Sequence, residues 1–166
     1  MFQAGQLVLY GIHGVCRVVE TEERIVDRKC FTYLVLEPEG QEGARFLVPT
    51  HKEAAIAKLR PVLTAQELEA LLCSPDVRRD SWIPEENMRK QTYRSLISSG
   101  DRAAQLAMVR TLRNQRTSRV SSGKKFHICD ENFLRDAEKL LSGEIALVLG
   151  LSPEDAKSYL HRALSD

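Results

Sequence analysis

The sequence predicts an α+β chain, with a small antiparallel β-barrel over residues 1–62 and an all-α domain over residues 63–166. Three observations carry this prediction. Up to residue 49 the apolar residues fall in short β-branched and aromatic runs separated by glycine- and proline-containing turns. From residue 50 they follow helical spacing, with a capping residue ahead of each stretch. The chain has 166 residues, 43% of them hydrophobic and 28% charged. That is an ordinary globular composition at a length that buries roughly 70% of the unfolded surface without disulfide staples.

Gln6–Tyr10 and Val15–Val19 flank Gly11-Ile-His-Gly14, whose glycines accept the positive φ values of a turn. Phe31–Leu36 is aromatic and β-branched and stops at Glu37-Pro-Glu-Gly40, and Ala44–Val48 stops at Pro49. Four or five short strands within about 50 residues, with no helix between them, suggest a barrel of the SH3 or Tudor type. Thr50-His-Lys-Glu53 has the pattern of a capping box opening a short helix that Pro61 ends. Thr64-Ala-Gln-Glu67 repeats the box and opens a helix through Leu68, Leu71 and Leu72 that stops near Ser74-Pro75. Further helix starts are read at Pro84, Asp101, Asp130 and Ser152-Pro153. Phe133, Ala137, Leu140, Leu141, Ile145 and Val148 form one core-facing stripe, and Ala156, Tyr159, Leu160, Ala163 and Leu164 form another. The helix from Asp101 carries Arg102, Arg110, Arg113, Arg116 and Arg119 around its axis, so its C-terminal end is not deeply buried.

Charge is unevenly distributed. Residues 1–63 are neutral, residues 78–125 carry a net +8 and residues 126–166 a net −4, within a total of +1. A basic block of this kind supplies an electrostatic footprint for a phosphate backbone, although solvated helix faces produce the same pattern. The longest apolar run, Ile145–Leu149, is far too short to span a membrane, and the N-terminus lacks a basic leader segment. Cys16, Cys30, Cys73 and Cys129 have neither zinc-site nor Cys-x-x-Cys spacing and read as free thiols of a cytoplasmic protein. No phosphate loop, nucleophile elbow or His-Glu-x-x-His motif occurs. Cys16 beside His13 is the best thiol–base pair, and Asp76, Asp80, Glu85 and Glu86 the best acidic cluster, but strand alternation and helix-boundary solvation explain them as well. Neither an enzyme nor a bound metal or cofactor is expected.

Trp82 is the sole tryptophan, and its connector, Arg78-Arg-Asp-Ser-Trp-Ile-Pro84, has Arg89, Lys90 and Arg94 shortly after it. A large ring in a basic connector suits an apolar wedge at an opened or kinked base step, and it equally suits a plug between helices.

Phe2-x-x-Gly5-x-x-Val8-x-Tyr10-x-x-His13-Gly14-Val15, followed by Tyr33–Leu36, Val48-Pro49 and Leu59-Arg60, resembles the N-terminal module of the CarD/CdnL transcription regulators. That module is shared with transcription-repair coupling factor. Trp82, Tyr93, Ser99-Gly100-Asp101 and Leu140–Ala146 resemble the helical domain of the same group. The resemblance implies a Tudor-like domain that docks on the β subunit of RNA polymerase, here through Val8, Tyr10, Arg45, Leu47 and Pro49. It also implies a helical domain that reaches promoter DNA at the upstream edge of the transcription bubble without sequence readout. There the family tryptophan, matched by Trp82, opposes bubble collapse. Charge and location add Arg78, Arg79, Arg89, Lys90, Arg94, Lys124 and Lys125 as DNA contacts. Some members carry arginine directly before the Val-Pro pair where this chain has Leu47, and Arg45, on the same strand face by period two, is the candidate replacement. The segment from Trp82 to Asp101 is also longer than in some members. The alternative is a polymerase-binding adaptor whose helical domain never touches DNA. The chain reads as a monomer, with strand exchange into a swapped dimer left open.

Overall fold

Short strands pair into sheets only where register and turns agree, and the first 62 residues meet that condition at four strand pairings. The computed structural model describes residues 2–165 and divides into two compact units, Met1–Val62 and Leu63–Asp166. The first unit contains β1 (Leu7–Tyr10), β2 (Val15–Val26), β3 (Lys29–Pro38), β4 (Phe46–Pro49), the one-turn helix α1 (Glu53–Ile56) and β5 (Leu59–Pro61). The strands form one antiparallel sheet in the order β4-β3-β2-β1-β5. Among the described residues β4 and β5 do not pair with each other, so the sheet is open and the expected barrel closure is not present. Both edge strands are very short and end in a proline, which has no N–H to extend a ladder. Val8, Cys16, Val18, Leu34, Leu36, Val48 and Leu59 are buried together on one face.

β2 runs seven residues beyond the expected Val15–Val19, because Glu20–Ile25 alternates too weakly to be read as a strand from one sequence. Its bulge between Val18 and Glu20 shifts the register, and pairing then continues to Val26↔Lys29. Asp27 and Arg28 close this hairpin at φ 51° and 63°, the left-handed pair of a two-residue turn. Arginine gives no sequence signal for a positive φ, whereas Gly14, at φ 73°, supplies one openly at the other hairpin.

The expected cap at Thr50 does not form. Its hydroxyl donates to the Thr32 carbonyl at 2.8 Å, and α1 instead begins after Lys52 with no side-chain cap. Beyond it, Leu59–Pro61 is extended and pairs with β1, where the sequence suggested the end of a helix.

The second unit is helical: α2 (Ala65–Leu72), a 3-10 turn (Pro75–Arg78), α3 (Glu86–Ser99), α4 (Arg102–Ser121), α5 (Ile128–Leu149) and α6 (Pro153–Leu164). Thr64 accepts from the Glu67 amide while the Glu67 carboxylate accepts from the Thr64 amide, a complete capping box. Asp101 and Ser152 also cap as expected. Two starts differ. Glu85, not Pro84, caps α3, accepting from the Asn87 and Met88 amides. α5 begins two residues before Asp130, which lies inside the helix and is fully buried.

α5 is the central helix, packed against α2, α3, α4 and α6. Leu134, Ala137, Leu141 and Ile145 are its buried apolar stripe, facing Leu106, Met108, Val109 and Leu112 of α4 and Ala156, Leu160 and Leu164 of α6. On α4 the buried residues lie between Gln105 and Leu112, and exposure rises toward its arginine-rich C-terminal end, as its sequence predicts. Thr64→Ala removes the capping box of α2 and lowers the stability of the helical unit by about 0.5–2 kcal/mol, read by denaturant unfolding, with Thr64→Ser restoring most of the loss.

Candidate nucleic-acid and polymerase interfaces

The connector between the 3-10 turn and α3 is pinned residue by residue. The Ser81 amide and hydroxyl meet the Thr111 hydroxyl of α4 at 3.0 and 3.2 Å, and the Tyr93 hydroxyl of α3 donates to the Ser81 carbonyl at 2.8 Å. The Trp82 amide donates to the Asp80 carboxylate at 3.0 Å. Downstream, the Arg89 guanidinium donates to the carbonyls of Ile83 at 2.9 Å and Pro84 at 3.4 Å. Trp82 therefore sits in a segment whose backbone is fixed on both sides. Its ring is half-buried, packed against the edge of the helical core, and the Arg89 guanidinium carbon lies 4.4 Å from the ring centroid. The Arg119 guanidinium carbon lies 6.0 Å away.

Arg89 is an interior residue, only 2% exposed. It makes a two-pronged pair with Asp130 of α5, Nε to Oδ1 at 2.9 Å and Nη2 to Oδ2 at 3.0 Å. Burial works to lower its pKa, but the hydrogen bonds and negative charge of Asp130 outweigh it, and the guanidinium is held above its ordinary value. Arg89 is thus removed from the surface cations expected to touch DNA, because its donors are already used inside the protein.

The other expected cations divide. Arg94, Lys124 and Lys125 are exposed and carry no carboxylate partner among the described residues. Arg79 pairs with Asp76 at 2.9 Å and Lys90 with Glu86 at 2.8 Å, both at the surface. Arg78 donates to the Ala163 carbonyl, and its own carbonyl accepts from Arg110. The +8 of residues 78–125 is therefore partly neutralised from within: Arg102 pairs with Glu144 and Arg116 with Glu131, both acids on α5. The residue that sequence reasoning missed is Arg119, which α4 brings to Trp82 from 37 positions away; only its place in the basic run could have signalled it.

On the sheet, Leu47 pairs in register with Val35, Pro49 with Tyr33, and Val35 in turn with Glu20. Leu34, Leu36 and Val48 are core, so Leu47 and Pro49 lie on the opposite face of the edge strand β4. Arg45, just before β4, is exposed and reaches Glu37 at 3.1 Å and Glu20 at 3.6 Å. These three form a coherent surface. Tyr10 is half-buried, its ring 5.6 Å from that of Phe46 and 5.2 Å from that of His13. Val8 is fully buried in the sheet core, which removes its side chain from any docking surface.

Cys16 is buried, donates to the Gly14 carbonyl, and is pushed up to about 11 by burial and then by the charge of Glu39, so its thiol stays protonated. His13 instead packs on Tyr10 and Phe46. The four acids around the connector are used separately, Asp76 on Arg79, Asp80 on the Trp82 amide, Glu85 as a cap and Glu86 on Lys90. Among the described residues no group of His, Cys, Asp and Glu has the arrangement of a metal site, and no helix is long and apolar enough to cross a membrane.

The architecture is that of a small open antiparallel sheet followed by a helical unit built on one central helix. Residues 2–63, the sheet unit to within a residue, match the family model described as the CarD-like/TRCF RID domain, so this part of the chain is similar to that domain. A search of curated proteins returns no match.

Burial pushes the Tyr93 phenol up to about 12, more than the Ser81 hydrogen bond and the Arg89 charge bring it down. The folded state therefore favours the neutral phenol, and the stability this gives is full below about pH 10 and lost as pH rises toward 12. Urea unfolding followed through Trp82 fluorescence should show the midpoint falling across that window. Tyr93→Phe should flatten this component while lowering stability at neutral pH by about 1–3 kcal/mol through the orphaned Ser81 carbonyl.

Proposed function

We propose that the protein is a regulator of transcription initiation that docks on the β subunit of RNA polymerase through its sheet unit and contacts promoter DNA through its helical unit. The observation that carries this reading is the match of residues 2–63 to the CarD-like/TRCF RID domain. The docking surface is the outer face of β4 with Arg45, Leu47 and Pro49; an edge strand offers both backbone hydrogen bonds and a face to a partner. In the helical unit Trp82 is the wedge at the upstream edge of the bubble, and Arg119, Arg78, Arg79, Arg94, Lys124 and Lys125 supply phosphate contacts. A ring already fixed before DNA arrives loses little freedom on insertion, which favours the melted promoter over the closed duplex. Few phosphate contacts and one wedge give weak binding to free DNA, and docking on polymerase raises the local concentration at the promoter.

Two substitutions separate the functions. Arg45→Glu touches only exposed ion pairs, so it leaves the melting temperature nearly unchanged, and it weakens binding to a β-subunit fragment by about tenfold. Trp82→Ala lowers the stability of the helical unit by about 1–2 kcal/mol, since the ring is half-buried, and leaves polymerase binding intact. It shortens the open-complex lifetime severalfold, read by promoter-complex decay well below the melting temperature. The partial neutralisation of the basic segment favours the adaptor alternative, and full retention of open-complex lifetime in Trp82→Ala would establish that alternative.

A further inference from the structure

Trp82 has an unusual support. An indole at the margin of a core is ordinarily held by apolar neighbours, yet here a buried guanidinium lies 4.4 Å from its centroid and serves two other elements as well. Arg89 grips Asp130 on α5 with two hydrogen bonds and holds the carbonyls of Ile83 and Pro84, the two residues that follow Trp82. One planar group thereby fixes the backbone exit of the connector, the face of the indole and the position of α3 on α5. Lysine cannot reproduce this, since it has neither the flat face nor the fork of donors. An apolar residue would leave both carbonyls without these donors and Asp130 buried without its cation.

We propose that the Arg89–Asp130 pair is the positioning device for Trp82, setting the ring in the orientation in which it meets its partner. In the reading given above, on which this rests, that partner is the opened edge of a promoter duplex. Arg89 touches no DNA. It acts through the indole, and its effect on function passes through Trp82 alone.

Because Trp82 is the sole tryptophan, its fluorescence reports the ring directly, in the free protein and without DNA. Two variants test the pair. Arg89→Met with Asp130→Leu removes both charges together, so that no unpaired charge is left buried while the Ile83 and Pro84 carbonyls lose their donor, and Arg89→Lys keeps the charge opposite Asp130 while losing the planar face. A double variant at another buried pair, Arg102→Met with Glu144→Leu, controls for general loss of an ion pair in the same unit. Both Arg89 variants should retain a cooperative melt and helical circular dichroism, shift the Trp82 emission maximum and raise acrylamide quenching at least twofold. The Arg102/Glu144 control should retain the wild-type spectrum and quenching. On the full-length protein with polymerase and promoter, each Arg89 variant should shorten the open-complex lifetime toward the Trp82→Ala value and have no added effect in the Trp82→Ala background. A folded Arg89→Lys protein with unchanged Trp82 emission and quenching overturns the proposal. So does a changed spectrum with a full wild-type lifetime, when Trp82→Ala itself loses lifetime. If the spectrum changes as expected while Trp82→Ala keeps the wild-type lifetime, the positioning of the ring is upheld and the DNA-wedge reading is what fails.

Discussion

The helical unit is organised around a charge pair that water does not reach. Arg89 and Asp130 are 2% and 0% exposed, and each uses both of its prongs on the other. Taking two ions out of water is costly, and removing one partner of such a pair typically destabilises by about 3–5 kcal/mol. Replacing both with apolar residues of similar volume is commonly neutral, so stability alone does not account for an ion pair at this position. What an apolar pair does not provide is direction. The guanidinium fork fixes α3 relative to α5, holds the end of the connector by its carbonyls and presents a flat cation to the indole, an arrangement worth about 2 kcal/mol or more where it is desolvated.

The same logic extends along α5. Its three buried carboxylates, Asp130, Glu138 and Glu144, each reach a different neighbour. Asp130 ties α3, Glu138 meets His161 of α6 at 3.1 Å, and Glu144 pairs with Arg102 of α4 and accepts from the Leu63 amide. The central helix thus specifies its partners by charge as well as by its apolar stripe. The acidic excess of residues 126–166 is in part the internal counterpart of the basic block before it. The cations left without carboxylates, Arg94, Arg119, Lys124 and Lys125 among them, are those that remain for an external anion.

Much of this was legible in the residues. Strands and helices segregate because period-two and helical spacing do not mix along this chain, and Thr64 signals its capping box because both reciprocal bonds are local. Thr50 carries the same four-residue pattern and does something else, since a strand carbonyl 18 positions away competes for its hydroxyl. Asp130 has the look of a helix cap, and only the arrival of α3 beside it explains its burial. Barrel closure depends on edge strands long enough to meet, and β4 and β5 are not. At the site, composition located Trp82 and the basic run, but which arginine faces inward is settled by tertiary packing: Arg89 and Arg94 are both cations on α3, and one is core while the other is surface. Val8 was misplaced for the same reason, its alternation marking a strand without saying which face is covered.

The β2–β3 ribbon is paired more extensively than its neighbours. β1 pairs with β2 only over Val15–Arg17, and β4 with β3 only over Tyr33–Leu36, with Thr50 on the Thr32 carbonyl and His51 on the Phe31 ring just beyond, so from Ile25↔Cys30 outward no third strand pairs with the ribbon among the described residues. Ile25, near the tip, is 79% exposed. A two-stranded ribbon without a covered face is marginal on its own in water. Its outer amides therefore exchange with solvent through local fraying at little free-energy cost, while those of Val18 and Leu36 are released only when the sheet unit opens as a whole. The sheet unit accordingly has two tiers of cooperativity, a protected base and an arm free to reshape against whatever it meets.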